Sequence, residues 1–263
     1  MDVREGFDTE VTFEISNPSQ KCDRLDDVNT YCRSRGADGF AFVIHNENFD
    51  ALGNAGSGLG YEGINNALAV EMDTYHNFEQ MDFYENHISI MTEGYRYNIS
   101  ANHSRSLGTT NRVPDLTDGV HKLRIKYDPV FDPNAAPHPS FTVNGHTTWF
   151  LNNADFKNGG EGDWGTGLGL LYVYLDDMFS PIITIPINLG ATIKLDNGRA
   201  IVGITAATGN EYWQAHDVLS WKFTSLFVDE EYSPPVTVNG QGAYECINPD
   251  ECVHSVDYDH FTR

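Results

Sequence analysis

Short alternating runs, with few helix signals between them, set what this chain can fold into. Glu10-Val-Thr-Phe-Glu-Ile15 and Val120-His-Lys-Leu-Arg-Ile-Lys-Tyr127 both place an apolar residue at every second position. Side chains two apart on a strand share a face, so each run predicts a half-buried strand. Gly39-Phe-Ala-Phe-Val-Ile44 is apolar throughout, the pattern of a strand covered on both sides. Leu168–Leu175, Ile182–Ile187, Ala200–Ile204 and Val218–Val228 extend the series, and Asn144-Gly145 predicts a hairpin turn inside Phe141–Phe150. Cys22 to Arg35 is polar and reads as a loop. About ten to a dozen strands at this spacing predict an all-β sandwich. The 40% apolar residues and 24 glycines supply a sizeable core with many turns. Ser233-Pro234-Pro235 breaks the pattern, which divides the chain into a sandwich domain over 1–232 and an appendage over 233–263.

One stretch departs from pure strand logic. Ala69-Val-Glu-Met-Asp-Thr-Tyr-His-Asn77 begins as a strand, Val70 to Tyr75, that would aim Glu71, Asp73 and Tyr75 to one side. Asn77 and Asp82 follow in a loop, and His87 opens the next strand, His87-Ile-Ser-Ile-Met91. Carboxylates, an amide oxygen and a carbonyl suit a hard cation such as Ca2+; an added imidazole suits a transition ion beside it. An EF-hand is excluded, because counting from Asp73 the sixth position is Phe78 where glycine is required and the twelfth is Tyr84 where glutamate is required. The glycine-rich Asn54–Gly63 is no phosphate cradle, since neither Lys-Ser/Thr nor a helix follows it.

The formal charge of -22 argues against nucleic acid and anionic membrane as partners. No apolar run is long enough to span a bilayer, and no leader pattern stands at Met1. Four cysteines form two close pairs, Cys22 with Cys32 and Cys246 with Cys252. Their spacing is too wide for the usual zinc pairs and favours local disulfides, with three pairings open. The local reading expects one bridge between Cys22 and Cys32 and one between Cys246 and Cys252, the second stapling the appendage. Asn98-Ile-Ser100 and Asn102-His-Ser104 fit the N-glycosylation pattern and agree with an oxidising, secretory environment.

With these residues in view, Ala69–His87 resembles the L-type, legume-lectin-like carbohydrate-binding domains of the concanavalin A-like superfamily. Gly36-Ala-Asp-Gly-Phe-Ala-Phe42 looks like that family's sugar-binding Asp loop, and Gly56-Ser-Gly-Leu-Gly60 like the glycine loop facing it. Lys194–Gly209 and His216–Phe223 look like its last core strands around the specificity loop. The resemblance spans about Gly6 to Val228 and implies a jelly-roll β-sandwich of antiparallel sheets. It implies that Glu71 and His87 bind Mn2+ or another transition ion, and that Asp73 and Asp82 bridge it to Ca2+. Asn77 would bind Ca2+ through its side chain and Tyr75 through its carbonyl. It further implies a cis Ala37–Asp38 peptide. The sugar would meet Asp38, Asn77, backbone N–H groups near Gly58, Asn210 and Glu211, and an aromatic face from Tyr75 or Tyr212.

Three departures from the family pattern stand out. Little precedes the segment that matches the first family strands, so the chain reads as part of a larger extracellular protein or as a variant with a replaced edge. Phe83 follows Asp82 where a proline is usual, and the Cys22–Cys32 segment is an addition. The expected function is non-catalytic, metal-dependent binding of glycans or glycoproteins, mannose/glucose-type first, in a secreted or lumenal setting, with homo-oligomer formation open. The competing classes are a glycoside hydrolase on the same fold, which would need a further carboxylate to complete an acid/nucleophile pair, and a structural or adhesive module without sugar binding.

Overall fold

The computed structural model describes residues 3, 5–25, 32–132, 168–195 and 198–226, with backbone alone for 20–25 and 32–35. Among these, twelve strands are present: β1 Phe7–Ser16, β2 Gln20–Leu25, β3 Cys32–Arg35, β4 Gly39–His45, β5 Ala67–Asp73, β6 His87–Gly94, β7 Ser106–Thr110, β8 Val120–Asp128, β9 Gly169–Leu175, β10 Ile183–Ile187, β11 Ile201–Ala207 and β12 Ala215–Ser225. They form a back sheet ordered β10-β9-β8-β1-β12, a front sheet ordered β11-β4-β5-β6-β7, and the pair β2-β3. All the pairings are antiparallel. The result is the expected all-β jelly-roll sandwich.

The alternating runs behave as their periodicity dictates. Every second residue of β1 (Phe7, Thr9, Val11, Phe13 and Ile15) is buried, and β8 buries His121, Leu123, Ile125 and Tyr127 in the same way. These side chains meet Phe42, Val70, Met72, Ile88 and Ile90 of the front sheet in one core. Phe7 stacks on Phe223 at 5.3 Å, and Phe13 meets Phe40 edge-on at 4.8 Å. The continuous apolar run also behaves as expected, with all seven residues of β4 buried. A second cluster covers the outer face of the front sheet, where Leu59, Tyr61 and Ile64 from the glycine-rich loop lie over Ala41, Val43, Ala69 and Met91. β4, β5 and β6 are therefore enclosed on both faces, and anything polar on their outer side is removed from water.

Two expectations differ from what is seen. The Cys22–Arg35 segment is not simply a loop, because β2 and β3 pair, with Leu25 opposite Cys32. The strand expected to run from Val70 to Tyr75 ends at Asp73. Thr74 leaves the ladder, its N–H and hydroxyl both donating to the Asp38 carbonyl at 2.9 and 3.1 Å. Tyr75 thus lies on a loop rather than on the carboxylate face of β5. The Asn144-Gly145 turn and the appendage over 233–263 lie outside the described residues. Cys246 and Cys252 lie there too, as do the side chains of Cys22 and Cys32, so both expected disulfides fall outside the described residues.

Candidate functional site

Strand parity builds the site. Leu68, Val70 and Met72 of β5 point into the core, so Ala69, Glu71 and Asp73 point outward beneath the covering loops. The β5–β6 register sets Asp73 directly opposite His87 and Glu71 opposite Ser89. The intervening loop then returns Asp82 to the strand ends. A 3-10 turn over Phe78–Gln80 closes with Met81 in the left-handed region, and Asp82 accepts the Asn77 N–H at 2.6 Å. Glu71, Asp73, Asn77, Asp82 and His87 are all at most 8% exposed.

Tautomer logic fixes the imidazole. His87 Nδ1 lies 2.7 Å from the Tyr84 carbonyl, which only accepts, so Nδ1 carries a proton and the neutral ring offers its lone pair at Nε2. Nε2 is buried, lies 3.5 Å from Glu71 Oε1, and has no hydrogen-bond partner. The other Glu71 oxygen accepts from the Tyr61 hydroxyl at 2.5 Å. Asp73, Asp82 and His87 offer ligand atoms all within 4.8 Å of one another.

Proximity and burial raise the cost of this negative charge. The Asp82 carboxyl is pushed up to about 6, chiefly by burial. Asp73 is raised well above the usual carboxylate range by burial, then by Asp82 and Glu71. No lysine or arginine pairs with Asp38, Glu71, Asp73 or Asp82 among the described residues. Buried, mutually close oxygen acceptors beside a bare imidazole lone pair are the donor set of a divalent-cation site, so the residues fit Ca2+ together with a more nitrogen-loving ion.

Asp38 joins this cluster from the start of β4. The Ala37–Asp38 peptide is cis, as the sequence resemblance implies. Gly39 follows at φ +141°, where a Cβ would stand 2.1 Å from the Met72 carbonyl oxygen, so only glycine lets β4 approach β5 here. The Asp38 N–H donates to the Ala207 carbonyl at 3.0 Å, tying the loop to the end of β11. The Asn77 side chain hydrogen-bonds Asp38, while Asn77 Oδ1 is buried without a partner. The Asn77 amide is thus tied to Asp38 on one side and leaves its buried oxygen unpartnered on the other. Asp38 itself is pushed up to about 6, mainly by burial. Its Oδ2 is also without a partner, beside Gly209.

The remaining sequence-predicted residues fall as follows. Tyr75 is half-buried, and its ring meets Tyr212 at 5.2 Å. Its N–H donates to Asp73 Oδ1 at 2.8 Å. Tyr212 is 6% exposed, so of the two rings Tyr75 is the more accessible. Asn210 and Glu211 are exposed on the loop after β11. Gly58 is buried in the facing loop, its N–H directed at the Ala55 carbonyl at 3.4 Å. Gln80 Nε2 donates to Ser57 Oγ at 3.2 Å, which links the glycine loop to the cation loop. Asn98 is exposed, whereas Asn102 caps a turn by accepting from the Ser104 N–H.

Sequence reasoning missed three contributors. Tyr61 anchors Glu71. Gln214 Nε2 donates to the Thr74 hydroxyl behind Asp38. His103 sits against His87, ring centroids 5.6 Å apart.

The two-sheet sandwich thus carries a buried group of acids and an imidazole beside an Asp–Asn pair. Residues 3–129 match the model of the legume lectin domain, the stretch that holds β1 to β8 and the whole cation cluster. Among solved structures, the chain is similar to peanut lectin bound to a 9mer peptide (22% identity, 85% of this chain and 76% of that one, TM-score 0.49). It is also similar to the VIP36 exoplasmic/lumenal domain in its Ca2+/Man-bound form (16% identity, 100% and 78%, TM-score 0.51). At these identities the likeness concerns the fold. No curated protein matches the sequence.

Proposed function

We propose that the chain binds glycans without chemistry, and that Ca2+ with a transition ion orders the binding loop. The observation that carries the reading is the buried group Asp73, Asp82 and His87, whose ligand atoms lie within 4.8 Å of one another, beside an Asn77 amide that hydrogen-bonds Asp38 and leaves its oxygen buried and unpartnered. Asp73, Asp82, Asn77 and the Tyr75 carbonyl would hold Ca2+. Glu71 and His87 would hold the transition ion, bridged through the two aspartates. Held this way, Asn77 donates to a sugar hydroxyl while Asp38 accepts from others. N–H groups around Gly58, Asn210 and Glu211 extend the polar rim, and Tyr75 backed by Tyr212 offers an aromatic face. The family match and the mannose and Ca2+ in the VIP36 structure support a mannose/glucose-type first test and a lumenal or extracellular setting.

A hydrolase needs a pair of carboxylates flanking an open sugar site. Glu71 is 2% exposed with one oxygen held by Tyr61, a placement that supports cation binding instead. A glycan array on the untreated protein, the EDTA-treated protein and Asn77→Ala tests the proposal. Binding by the untreated protein alone is expected. Glycan binding that survives both EDTA and the substitution contradicts it, and hydrolysis of a β-glucan would favour the enzyme.

A further inference from the structure

His103 lies well beyond His87 in sequence, and the motif that contains the other ligands does not include it. The fold brings it back. A 3-10 turn over His103–Arg105 begins at Asn102, whose side-chain oxygen accepts the Ser104 N–H at 3.1 Å and the Ser104 hydroxyl at 2.6 Å. That turn sets the His103 ring edge-on to His87, at 83° between planes. Phe83 packs on both imidazoles, 5.2 Å from His87 and 4.7 Å from His103.

Glu71, His87 and His103 each present a ligand atom, all within 4.8 Å of one another. His87 is fully buried, with Nε2 aimed into this group and unpartnered; His103 Nδ1 is also buried without a hydrogen-bond partner. His87 has one lone pair to give, since Nδ1–H is committed to Tyr84. The trio with His103 and the trio with Asp73 and Asp82 therefore share a single centre at that nitrogen.

We propose that His103 is a ligand of this centre, completing a two-imidazole, one-carboxylate set with Glu71 and His87, and that the centre selects a late first-row divalent ion of the Zn2+ class over Mn2+. The inference rests on the reading of Glu71 and His87 as transition-ion ligands and adds the third ligand and the choice of ion. Imidazole suits zinc, copper and nickel, whereas manganese favours carboxylate and water, and affinities at nitrogen-containing sites rise from Mn2+ toward Cu2+ and Zn2+. A second imidazole widens that gap.

The full chain, stripped with chelator and resupplied with Ca2+, is titrated calorimetrically with Zn2+ and separately with Mn2+. Co2+ absorption spectra report the nitrogen ligands. Zn2+ should bind wild type more tightly than Mn2+. His103→Ala and His103→Asn should each weaken Zn2+ by at least about tenfold, the lower end of what even a lost outer-shell contact costs at a metal site. They should also alter the Co2+ spectrum and weaken Mn2+ less than Zn2+. Thermal melts confirm that the variants fold, and the asparagine variant keeps a polar side chain in the turn. Wild-type Zn2+ affinity in both variants, or no preference for Zn2+ over Mn2+ in wild type, overturns the proposal. If Glu71→Gln abolishes Zn2+ binding while the His103 variants do not, His103 alone is wrong. If Glu71→Gln also binds normally, the underlying metal reading fails.

Discussion

The two sheets treat carboxylates in opposite ways. On the outer side of the back sheet, Arg124 grips Asp8 through Nε and Nη2, and Lys122 meets Glu10 at 2.5 Å. These groups are partly open to water, and each carboxylate has a cation from the neighbouring strand. On the outer side of the front sheet, Asp38, Glu71, Asp73 and Asp82 are at most 8% exposed and have no such partner among the described residues. A fold that places acids beside basic residues on one sheet omits them on the other. On the proposed reading the front cluster takes a cation from solution, and its charge, unfavourable when metal-free, would become the binding energy for the ion.

Acidity should expose this difference most strongly. Asp82 is pushed up to about 6, chiefly by burial, and Asp73 is raised well above the usual carboxylate range. The native metal-free chain then holds more protons than the unfolded chain above the ordinary aspartate pKa, so these groups cost stability as pH rises through about 6. Below that pH, a proton does what the cation would do. The stabilisation given by Ca2+ should be larger at neutral pH and fade as pH falls through about 6, where Asp82 takes up a proton. At about 1.4 kcal/mol per pKa unit, Asp82 alone accounts for a change on the order of 2–3 kcal/mol. Burial shifts His103 and His216 down to about 4, which works with the opposite sign. Comparing melting curves with and without Ca2+ at each pH cancels that contribution. A Ca2+ increment independent of pH between 4 and 7 would contradict the assignment.

The back-sheet pair should give the smallest effect. Asp8→Asn removes a partly exposed ion pair and should cost no more than about 1 kcal/mol, since such pairs contribute little. It should leave the Ca2+ response and glycan binding as in wild type. A loss of the Ca2+ response on this substitution would show that the two sheets are not electrically separate.

Sequence legibility divides along the same line. The strands are readable because alternation reports a one-sided core, as in β1 and β8, and a continuous apolar run reports enclosure, as in β4. Glu71, Asp73, Asn77, Asp82 and His87 are readable because one strand, one loop and one register bring them together within a short stretch. Tyr75 is misplaced by pattern alone, which does not show where a strand leaves its ladder; the Asp38 carbonyl, capturing Thr74, decides that. The β2–β3 pairing is hidden because Cys22–Arg35 is polar, and backbone pairing there leaves no hydrophobic rhythm. His103, Tyr61 and Gln214 reach the site from loops folded over the outer face, and no local pattern states which loop will do so. The one available signal for His103 is its place in a capped turn just before β7, the strand that pairs with β6.

The most direct test of the account uses Asp73→Asn, which removes one buried charge and keeps the shape. Melting curves of wild type and variant at neutral pH, each with chelator and with Ca2+, give four temperatures. The metal-free variant should melt above metal-free wild type, because a repelled buried carboxylate is gone, and Ca2+ should raise wild type alone. A variant that melts below wild type without metal, yet gains as much from Ca2+, would contradict the claim that the front-sheet carboxylates are an unfinished site awaiting its cation.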